Sequence, residues 1–554
     1  MHGFSNHQSW SGCGNAVPSR VDEFRITSLK ELGATMWRGS YPSSNSLVDL
    51  ADAHGMLMWV ENRFLRYAVQ PLAQPLDLGG TTANPQCQTT PGTNCGGARD
   101  ESQCTRSYVP CGGLGKCNCL WSDSTNTCSP STEACVAQFP AADLADPQLL
   151  RDIHDMVLRD RNHPSAVIWS LCNEAGCPIG DPAGGILAAQ FKAAINAADS
   201  TRPITANTEW SLGSPDTFTT VLDVMTCSYN YATYELYHKH HPFRPFMGGE
   251  SASCQSDRGY FGPTNKTRGL ISGDPAPACC ATAWAAAGST DFASGSVAWT
   301  GHDYKGEPGA TGWPDINSHF GMYDIAGFEK DKAGYYRSWW LPNGSNFVRA
   351  SPSDWTAPVA VGTNVSVFVF TGAAEAEAVV NGVSLGRRAV RSLGFADFGS
   401  VPFVPGNLTA VAYDHSGTVT AVDTVLTVGA AAALQLSLES NHDRPYAADG
   451  QDVALVRCEV VDSAGRVVPG ASNKVTFTVS GPAAVYGVGN GDPANLTPDK
   501  VGQHDLPYGG VWTIPAYSGL VRAIVSTVVG KPGEIAVHAS AAGLRAGQVS
   551  FTSH

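Results

Sequence analysis

The chain has 554 residues, which is too long for a single hydrophobic core and indicates about three domains. Its net charge is −14 and only 15% of its residues are charged, so nucleic acid is not an expected partner and a disordered chain is excluded. No apolar run approaches the roughly 20 residues that span a bilayer, so no membrane span is expected.

Apolar segments alternate with helical patterns from residue 1 to about residue 342. HGFSNH is the first candidate strand, and the others are ATMWRGS (34–40), MLMWVENR (56–63), AVIWSLCNE (166–174), PITANTEW (203–210), DVMTCSYNY (223–231), RPFMGGE (244–250) and GSVAWTGHDY (295–304). Amphipathic stretches such as DPQLLRDIHDMVLRD lie between them, with Asp146 as the expected N-cap. This pattern predicts an α/β fold, a (β/α)8 TIM barrel over residues 1–342.

One predicted strand ends in an unusual way. The run AVIWSL shows no polar alternation, as in a parallel strand buried on both faces, yet two polar residues follow closely, Asn173 and Glu174. A barrel carries its chemistry at the carboxyl ends of its strands, so these side chains are candidate site residues. The alternative is a glutamate that only caps the following loop or helix.

Eight of the 16 cysteines crowd into one segment, a predicted insertion of about residues 70–139 after the third strand. They are Cys87, Cys95, Cys104, Cys111, Cys117, Cys119, Cys128 and Cys135. Because this segment has almost no aliphatic residues and cannot bury a core, we expect its cysteines to pair with each other, and the insertion to overhang the catalytic face. A zinc site is the alternative, disfavoured because paired CxxC spacing and an intervening histidine are both missing.

The cysteine content also predicts an extracellular or secretory-pathway protein. Five N-x-S/T sequons point weakly the same way, at Asn265, Asn343, Asn364, Asn407 and Asn495. The opening MHGFSNHQSW has neither the basic nor the apolar region of a signal peptide. We therefore expect the N-terminus to be incomplete.

The pattern changes after the segment SWWLPNGSN. Alternating strands without a helical period, such as VSVFVFT and LTAVAYD, predict a β-sandwich over residues 343–430. A second set, including VALVRCEVVD and VRAIVSTVV, predicts a C-terminal β-sandwich over residues 431–554. We interpret both as immunoglobulin-like domains.

Several of these motifs together resemble glycoside hydrolase family 2, the β-galactosidase, β-glucuronidase and β-mannosidase group. RDRNHPSAVIWSLCNE is similar to that family's acid/base strand, and FRPFMGGESASC is similar to its nucleophile strand. WRGSYP, SYNY, SVAWTGHDYKGEP and HFGMYDIAGFEKD resemble other active-site segments, in the family's order. The resemblance covers nearly the whole chain, and it implies that the family's N-terminal sugar-binding and first sandwich domains are absent.

The resemblance implies a retaining exo-β-glycosidase, most consistent with β-D-galactosides. Glu174 would be the general acid/base and Glu250 the nucleophile, with carboxyl groups about 5 to 5.5 Å apart. It also implies that Asn173 binds the sugar 2-hydroxyl, that Arg38 holds Glu250 ionised and that Tyr231, or less favourably Tyr229, donates its hydroxyl to Glu250.

Further expected substrate contacts are less specific. Trp299 would form the floor for the sugar's apolar face, and the family suggests a non-proline cis peptide after it. Asp303 and Glu61 would line the site. Ser40 stands where the family often has histidine, which leaves sugar specificity open.

Two other functions remain possible from the sequence. One is a non-catalytic carbohydrate-binding or adhesion protein on a degenerate barrel, and the other is a β-mannosidase or β-glucuronidase specificity. Glucuronide is disfavoured because the barrel's one Asn-Lys pair, at residues 265–266, follows the seventh strand rather than the last. No HExxH or similar ligand spacing appears, so we predict neither a metal nor a cofactor.

Overall fold

The computed structural model describes most of the chain. The described residues are 1–62, 145–174, 177, 184–209, 218–259, 276–309, 311–356, 360–439, 444–499 and 511–554, together with the backbone of 108–111, 115–122, 127–130 and 136–137. The chain divides into two compact units: unit 1 is Met1–Val60, His163–Val167 and Cys227–His554, and unit 2 is Glu61–Asn162 and Ile168–Thr226. No helix within these described residues is both long enough and apolar enough to cross a membrane.

Strands and helices alternate in the first part of the chain, as predicted. In chain order they are β1 His2–Asn6, α1 Ser19–Glu31, β2 Met36–Gly39, α2 Asn45–His54, β3 Leu57–Glu61, β4 Tyr108–Cys111, β5 Gly115–Ser122, β6 Thr127–Pro130, β7 Val136–Ala137, α3 Pro147–Asp160, β8 Ala166–Asn173, α4 Gly184–Ala198, β9 Ile204–Asn207, β10 Met225–Cys227, α5 Tyr234–His240, β11 Phe246–Glu250, α6 Ala276–Gly288, β12 Ala293–Trp299 and α7 Ala333–Trp340.

Eight of these strands form one sheet in the order β10-β11-β12-β1-β2-β3-β8-β9. The pairs β1–β2, β1–β12, β2–β3, β8–β9 and β11–β12 are all parallel. The predicted TIM barrel is therefore confirmed as a nearly closed parallel sheet. Gly3 allows β1 and β2 to approach, because a Cβ atom there would lie 1.8 Å from the Met36 carbonyl oxygen.

The four strands outside the barrel sheet, β4 to β7, lie within the predicted cysteine-rich insertion. They pair antiparallel with one another. The rest of the insertion and the side chains of its eight cysteines lie outside the described residues, so their mutual pairing stays a prediction. The pair at residues 265–266 also lies outside them.

Local sequence explains how α3 begins and which face it buries. The Asp146 side chain accepts a hydrogen bond from the Gln148 amide at 2.7 Å, so the predicted N-cap is confirmed, and Pro147 occupies the first turn without needing a hydrogen-bonding N–H. The apolar residues at helical spacing are buried, namely Leu149, Ile153, Met156 and Val157.

The remaining strands are antiparallel and form the two predicted β-sandwiches. The first consists of β13 Arg349–Ser351, β14 Asn364–Phe370, β15 Glu375–Val380, β16 Val383–Ala389, β17 Ala396–Pro402, β18 Asn407–Tyr413 and β19 Val419–Leu426, in sheets β13-β14-β17 and β16-β15-β18-β19. The second consists of β20 Ala433–Leu438, β21 Val453–Val461, β22 Lys474–Ser480, β23 Ala483–Gly489, β24 Trp512–Pro515, β25 Leu520–Thr527, β26 Gly533–Ser540 and β27 Gly547–Ser553, in sheets β20-β21-β25-β23 and β24-β22-β26-β27. Each sandwich encloses its own apolar core.

Candidate active-site residues

Unit 1 holds a buried carboxylate surrounded by donors. Glu250 is the last residue of β11 and only 3% of its surface is exposed. Arg38, from β2, lies with Nη1 2.6 Å from Glu250 Oε1, and the same nitrogen donates to Ser5 Oγ at 3.0 Å. The expected ion pair between Arg38 and Glu250 is therefore present. A buried guanidinium opposite a carboxylate gives a charge-assisted hydrogen bond, which holds the carboxylate in one place.

The second donor to Glu250 corrects the sequence prediction, because it belongs to Tyr229 and not to Tyr231. The Tyr229 hydroxyl donates to Glu250 Oε2 at 2.8 Å, and its backbone N–H donates to the Glu250 carbonyl at 2.7 Å. Strand β10 ends at Cys227, earlier than predicted, and the chain turns at Tyr229 with a φ of 53°. Tyr231 instead begins a short 3₁₀ turn. The motif SYNY offers two tyrosines, and only the end of the strand decides between them.

Unit 2 holds the other predicted carboxylate. Glu174 follows directly after β8 and has a φ of 40°, and its carbonyl accepts from the Cys177 amide at 2.7 Å. Asn173 Oδ1 accepts from Asn207 Nδ2 at 2.6 Å. A disulfide joins Cys172 to Cys177. Asn207 was not predicted as a site residue; it is a polar residue within the predicted strand PITANTEW, and the observed strand β9 ends at it.

Glu61 and Ser40 both end up buried. Glu61 ends β3, and its Oε2 accepts from Ser170 Oγ at 3.0 Å within unit 2. Ser40 follows β2 in unit 1, and its Oγ has no hydrogen-bond partner among the described residues. Both positions stay predictions as substrate contacts.

Trp299 ends β12 and belongs to an aromatic cluster in unit 1. It packs with Tyr304 and Phe320, and its Nε1 donates to the Tyr304 hydroxyl at 3.0 Å. The His7 ring lies nearly perpendicular to the Trp299 ring, at a centroid distance of 5.1 Å. The peptide between Trp299 and Thr300 is cis, which confirms the expectation drawn from the family resemblance.

Asp303 is held by several neighbours after β12. Lys330 Nζ lies 2.5 Å from its Oδ2, while the Gly321 amide and the Ser318 hydroxyl donate to its Oδ1 at 2.7 and 3.2 Å. Burial raises the pKa of Asp303, and the neighbouring Lys330 opposes this rise. Protein donors thus reach both oxygens of the buried Asp303 and tie it to the segment after β12, and its contact with a sugar stays a prediction.

Comparison with known proteins agrees with this arrangement. Residues 124–249 match the glycosyl hydrolases family 2 TIM barrel domain, and residues 436–550 match glycoside hydrolase family 2 C-terminal domain 5. The chain belongs to glycoside hydrolase family 2. A third match, over residues 362–421, is to a domain of unknown function (DUF4982).

Curated relatives of this family 2 protein differ in the activity that their names state. Beta-galactosidase BoGH2A of Bacteroides ovatus is 31% identical over 453 residues, which are 71% of this chain and 50% of the relative. A putative beta-glucuronidase of Formosa agariphila is 27% identical over 390 residues, 62% of this chain and 35% of the relative. The chain thus spans half or less of the length of these relatives.

Solved structures of the family share the fold. A family 2 member from Bacteroides cellulosilyticus matches 100% of this chain and 62% of its own with a TM-score of 0.72 at 20% identity. A beta-glycosidase from Bacteroides vulgatus matches 99% of this chain and 63% of its own with a TM-score of 0.69 at 21% identity. At 20 to 21% identity, these similarities support the fold alone.

Proposed function

We propose that the protein is a retaining β-glycosidase that acts on terminal β-linked sugars, with β-D-galactosides as the preferred substrates. The observation that carries the proposal is the environment of Glu250. It is a buried carboxylate at the carboxyl end of a barrel strand, and Arg38 and Tyr229 donate to its two oxygens. A carboxylate held in one orientation by fixed donors is suited to attack an anomeric carbon.

The proposed reaction has two steps. In the first, a Glu250 oxygen bonds to the anomeric carbon while the bond to the leaving oxygen breaks, and Glu174 transfers its proton to that oxygen. In the second, the Glu174 carboxylate takes a proton from water, whose oxygen bonds to the anomeric carbon and releases Glu250. Two inversions give net retention.

The preference for galactosides rests on the similarity to the relative named as a beta-galactosidase, which has the highest identity among the relatives compared above. Other relatives are named as beta-glucuronidases, so glucuronide is the main competing sugar. We also propose that the protein folds in an oxidising compartment. Its disulfides Cys172–Cys177 and Cys254–Cys279 support that proposal.

Hydrolysis of a panel of aryl β-glycosides tests the function. We expect turnover of the galactoside above the glucuronide and the mannoside, with the β-anomer released first in a proton NMR time course. Glu250→Gln should abolish turnover. Glu235→Gln, the same change at an exposed position on α5, should leave it unchanged.

The results separate the alternatives clearly. Preferred glucuronide turnover would contradict the galactoside assignment but support the mechanism. Release of the α-anomer first would contradict retention. Sugar binding without hydrolysis of any substrate in the panel would favour the non-catalytic binding protein.

A further inference from the structure

Two disulfides lie beside the two proposed catalytic carboxylates. Cys172 and Cys177 flank Glu174, and Cys254 follows Glu250 by four residues and pairs with Cys279 on α6. We propose that the Cys172–Cys177 disulfide positions Glu174 for proton transfer, so that the protein needs this bond for acid/base catalysis. This inference rests on the proposed glycosidase function and adds a covalent positioning element to it.

The backbone of Glu174 shows why such an element is needed. Its φ of 40° lies in the left-handed region, which is unfavourable for a residue with a Cβ atom. A strained residue of this kind persists only where the surroundings hold it. Without a restraint, the residue after β8 would relax toward ordinary backbone and carry its carboxyl group with it.

Contacts on both sides of Glu174 restrain its backbone. On its N-terminal side Asn173 is bonded to Asn207 of β9, and Cys172 is fully buried in β8. On its C-terminal side the Cys177 amide donates to the Glu174 carbonyl at 2.7 Å. That hydrogen bond requires Cys177 to stay near the end of β8, and the disulfide is the covalent link that keeps it there.

The other disulfide has a different relation to its carboxylate. Glu250 is still within β11, and Arg38 and Tyr229 already hold both of its oxygens. The orientation of the Glu250 carboxylate therefore does not require the Cys254–Cys279 disulfide. The Cys172–Cys177 disulfide differs from it, because it closes a short loop that contains the proposed proton donor, Glu174.

A displaced Glu174 has a specific chemical consequence. Attack by Glu250 and departure of the aglycone both proceed when the leaving group is a stable anion, such as 2,4-dinitrophenolate, because this group needs no proton. An unsubstituted phenolate needs the Glu174 proton as the bond breaks. Proton transfer contributes a factor of roughly 10² to 10⁴ to the rate and depends on placement of the donor within about 1 Å. Loss of the disulfide should therefore slow hydrolysis of the phenyl glycoside selectively.

The experiment compares kcat/KM for phenyl and 2,4-dinitrophenyl β-galactosides in the 554-residue chain and its variants. The test variant is Cys172→Ala with Cys177→Ala, and the contrast variant is Cys254→Ala with Cys279→Ala. Cys458→Ala, a buried free cysteine in the second sandwich, is the neutral control. The concentration of competent sites is measured from the burst of dinitrophenolate that the dinitrophenyl 2-deoxy-2-fluoro galactoside releases. Rates are divided by this concentration, so misfolded protein does not affect them.

We expect kcat/KM of the test variant to fall about 10- to 100-fold for the phenyl substrate and less than about threefold for the dinitrophenyl substrate. In a Glu174→Gln background the same cysteine substitutions should cause no further selective loss. In the contrast variant kcat/KM should change by the same factor for both substrates, and in Cys458→Ala it should change for neither.

Other outcomes overturn the inference. An equal loss on both substrates, no loss on either, or a selective loss that persists with Glu174→Gln would each show that the disulfide does not act through Glu174. If the wild-type chain neither labels with the fluoro sugar nor turns over any glycoside, the proposed function itself is wrong and the positioning role falls with it.

Discussion

The two donors to Glu250 differ in how directly the sequence reveals them. Arg38 lies within a predicted strand and reaches Glu250 from β2. Tyr229 lies past the end of β10, where a positive φ and a hydrogen bond to the Glu250 backbone hold it. Its hydroxyl also lies 2.8 Å from Ser253 Oγ, so it belongs to a small network around the carboxylate.

Substitution of these tyrosines distinguishes their roles. Tyr229→Phe removes a hydrogen bond to a charged group, and such bonds contribute about 1.5 to 3 kcal/mol, so kcat should fall about 10- to 100-fold. Tyr231→Phe should change kcat by less than about threefold, because Tyr231 makes no described hydrogen bond to Glu250 through its hydroxyl. Steady-state kinetics on one aryl galactoside check this. Equal effects of the two substitutions would contradict the assignment.

His7 provides a residue-scale prediction on pH. Burial, with the positive charges of Arg38 and Arg25, lowers the pKa of His7 to about 4, while its ordinary value is 6.5. Its ring stacks on Tyr304 at a centroid distance of 4.1 Å. Between these two pKa values the unfolded chain binds more protons than the folded one. The contribution of neutral His7 to the free energy of unfolding is therefore complete above pH 6.5 and is lost as the pH falls toward 4.

Denaturant titrations at pH 7 and pH 5 measure this linkage. From pH 7 to pH 5, the free energy of unfolding of the wild-type chain should fall by at most about 2 kcal/mol more than that of the His7→Gln variant, because glutamine does not titrate. Identical pH dependences of the two proteins would contradict the lowered pKa.

At the scale of single elements, local signals account for how the helices begin and end. Asp146 and Ser44 accept hydrogen bonds from first-turn amides of α3 and α2. Gly55 ends α2 with a φ of 62°, the left-handed position that favours glycine. These contacts involve residues close in sequence, which is why the pattern alone predicted the cap of α3.

The cap of α3 can be tested by itself. Asp146→Ala removes the acceptor for the Gln148 amide and should lower the free energy of unfolding by about 1 kcal/mol. Asp155→Ala removes an exposed aspartate from the middle of the same helix and should have an effect within about 0.5 kcal/mol of zero. Equal losses in urea titrations would contradict the capping role.

At the scale of the whole molecule, unit 1 joins barrel elements to the second sandwich. An apolar cluster combines residues of both, namely Trp10, Val21 and Phe24 with Val453, Leu455 and Ile524. Beside it, Arg20 of α1 donates to both oxygens of Asp452 at 2.7 and 2.6 Å. The C-terminal sandwich therefore takes part in the packing of the barrel's first helix.

Removal of Arg20 tests this connection. Arg20→Ala leaves the buried Asp452 carboxylate without its main counter-ion and should lower the free energy of unfolding by about 3 kcal/mol. Lys531→Ala, which removes an exposed positive charge from the same sandwich, should change it by less than about 0.5 kcal/mol. Thermal unfolding of the two variants compares them, and similar midpoints would contradict the role of the pair.

The sequence by itself determined the barrel, the two sandwiches and the position of Glu250 and Glu174 at strand ends. These features follow from periodicity and from short motifs, which depend on neighbours along the chain. Only the tertiary structure decided that Tyr229 rather than Tyr231 donates to Glu250. It also showed that Lys330 forms an ion pair with Asp303 and that Asn207 donates a hydrogen bond to Asn173. Those contacts join residues 21 to 34 positions apart, and they depend on where each strand ends and which side chains are buried, which no local pattern encodes.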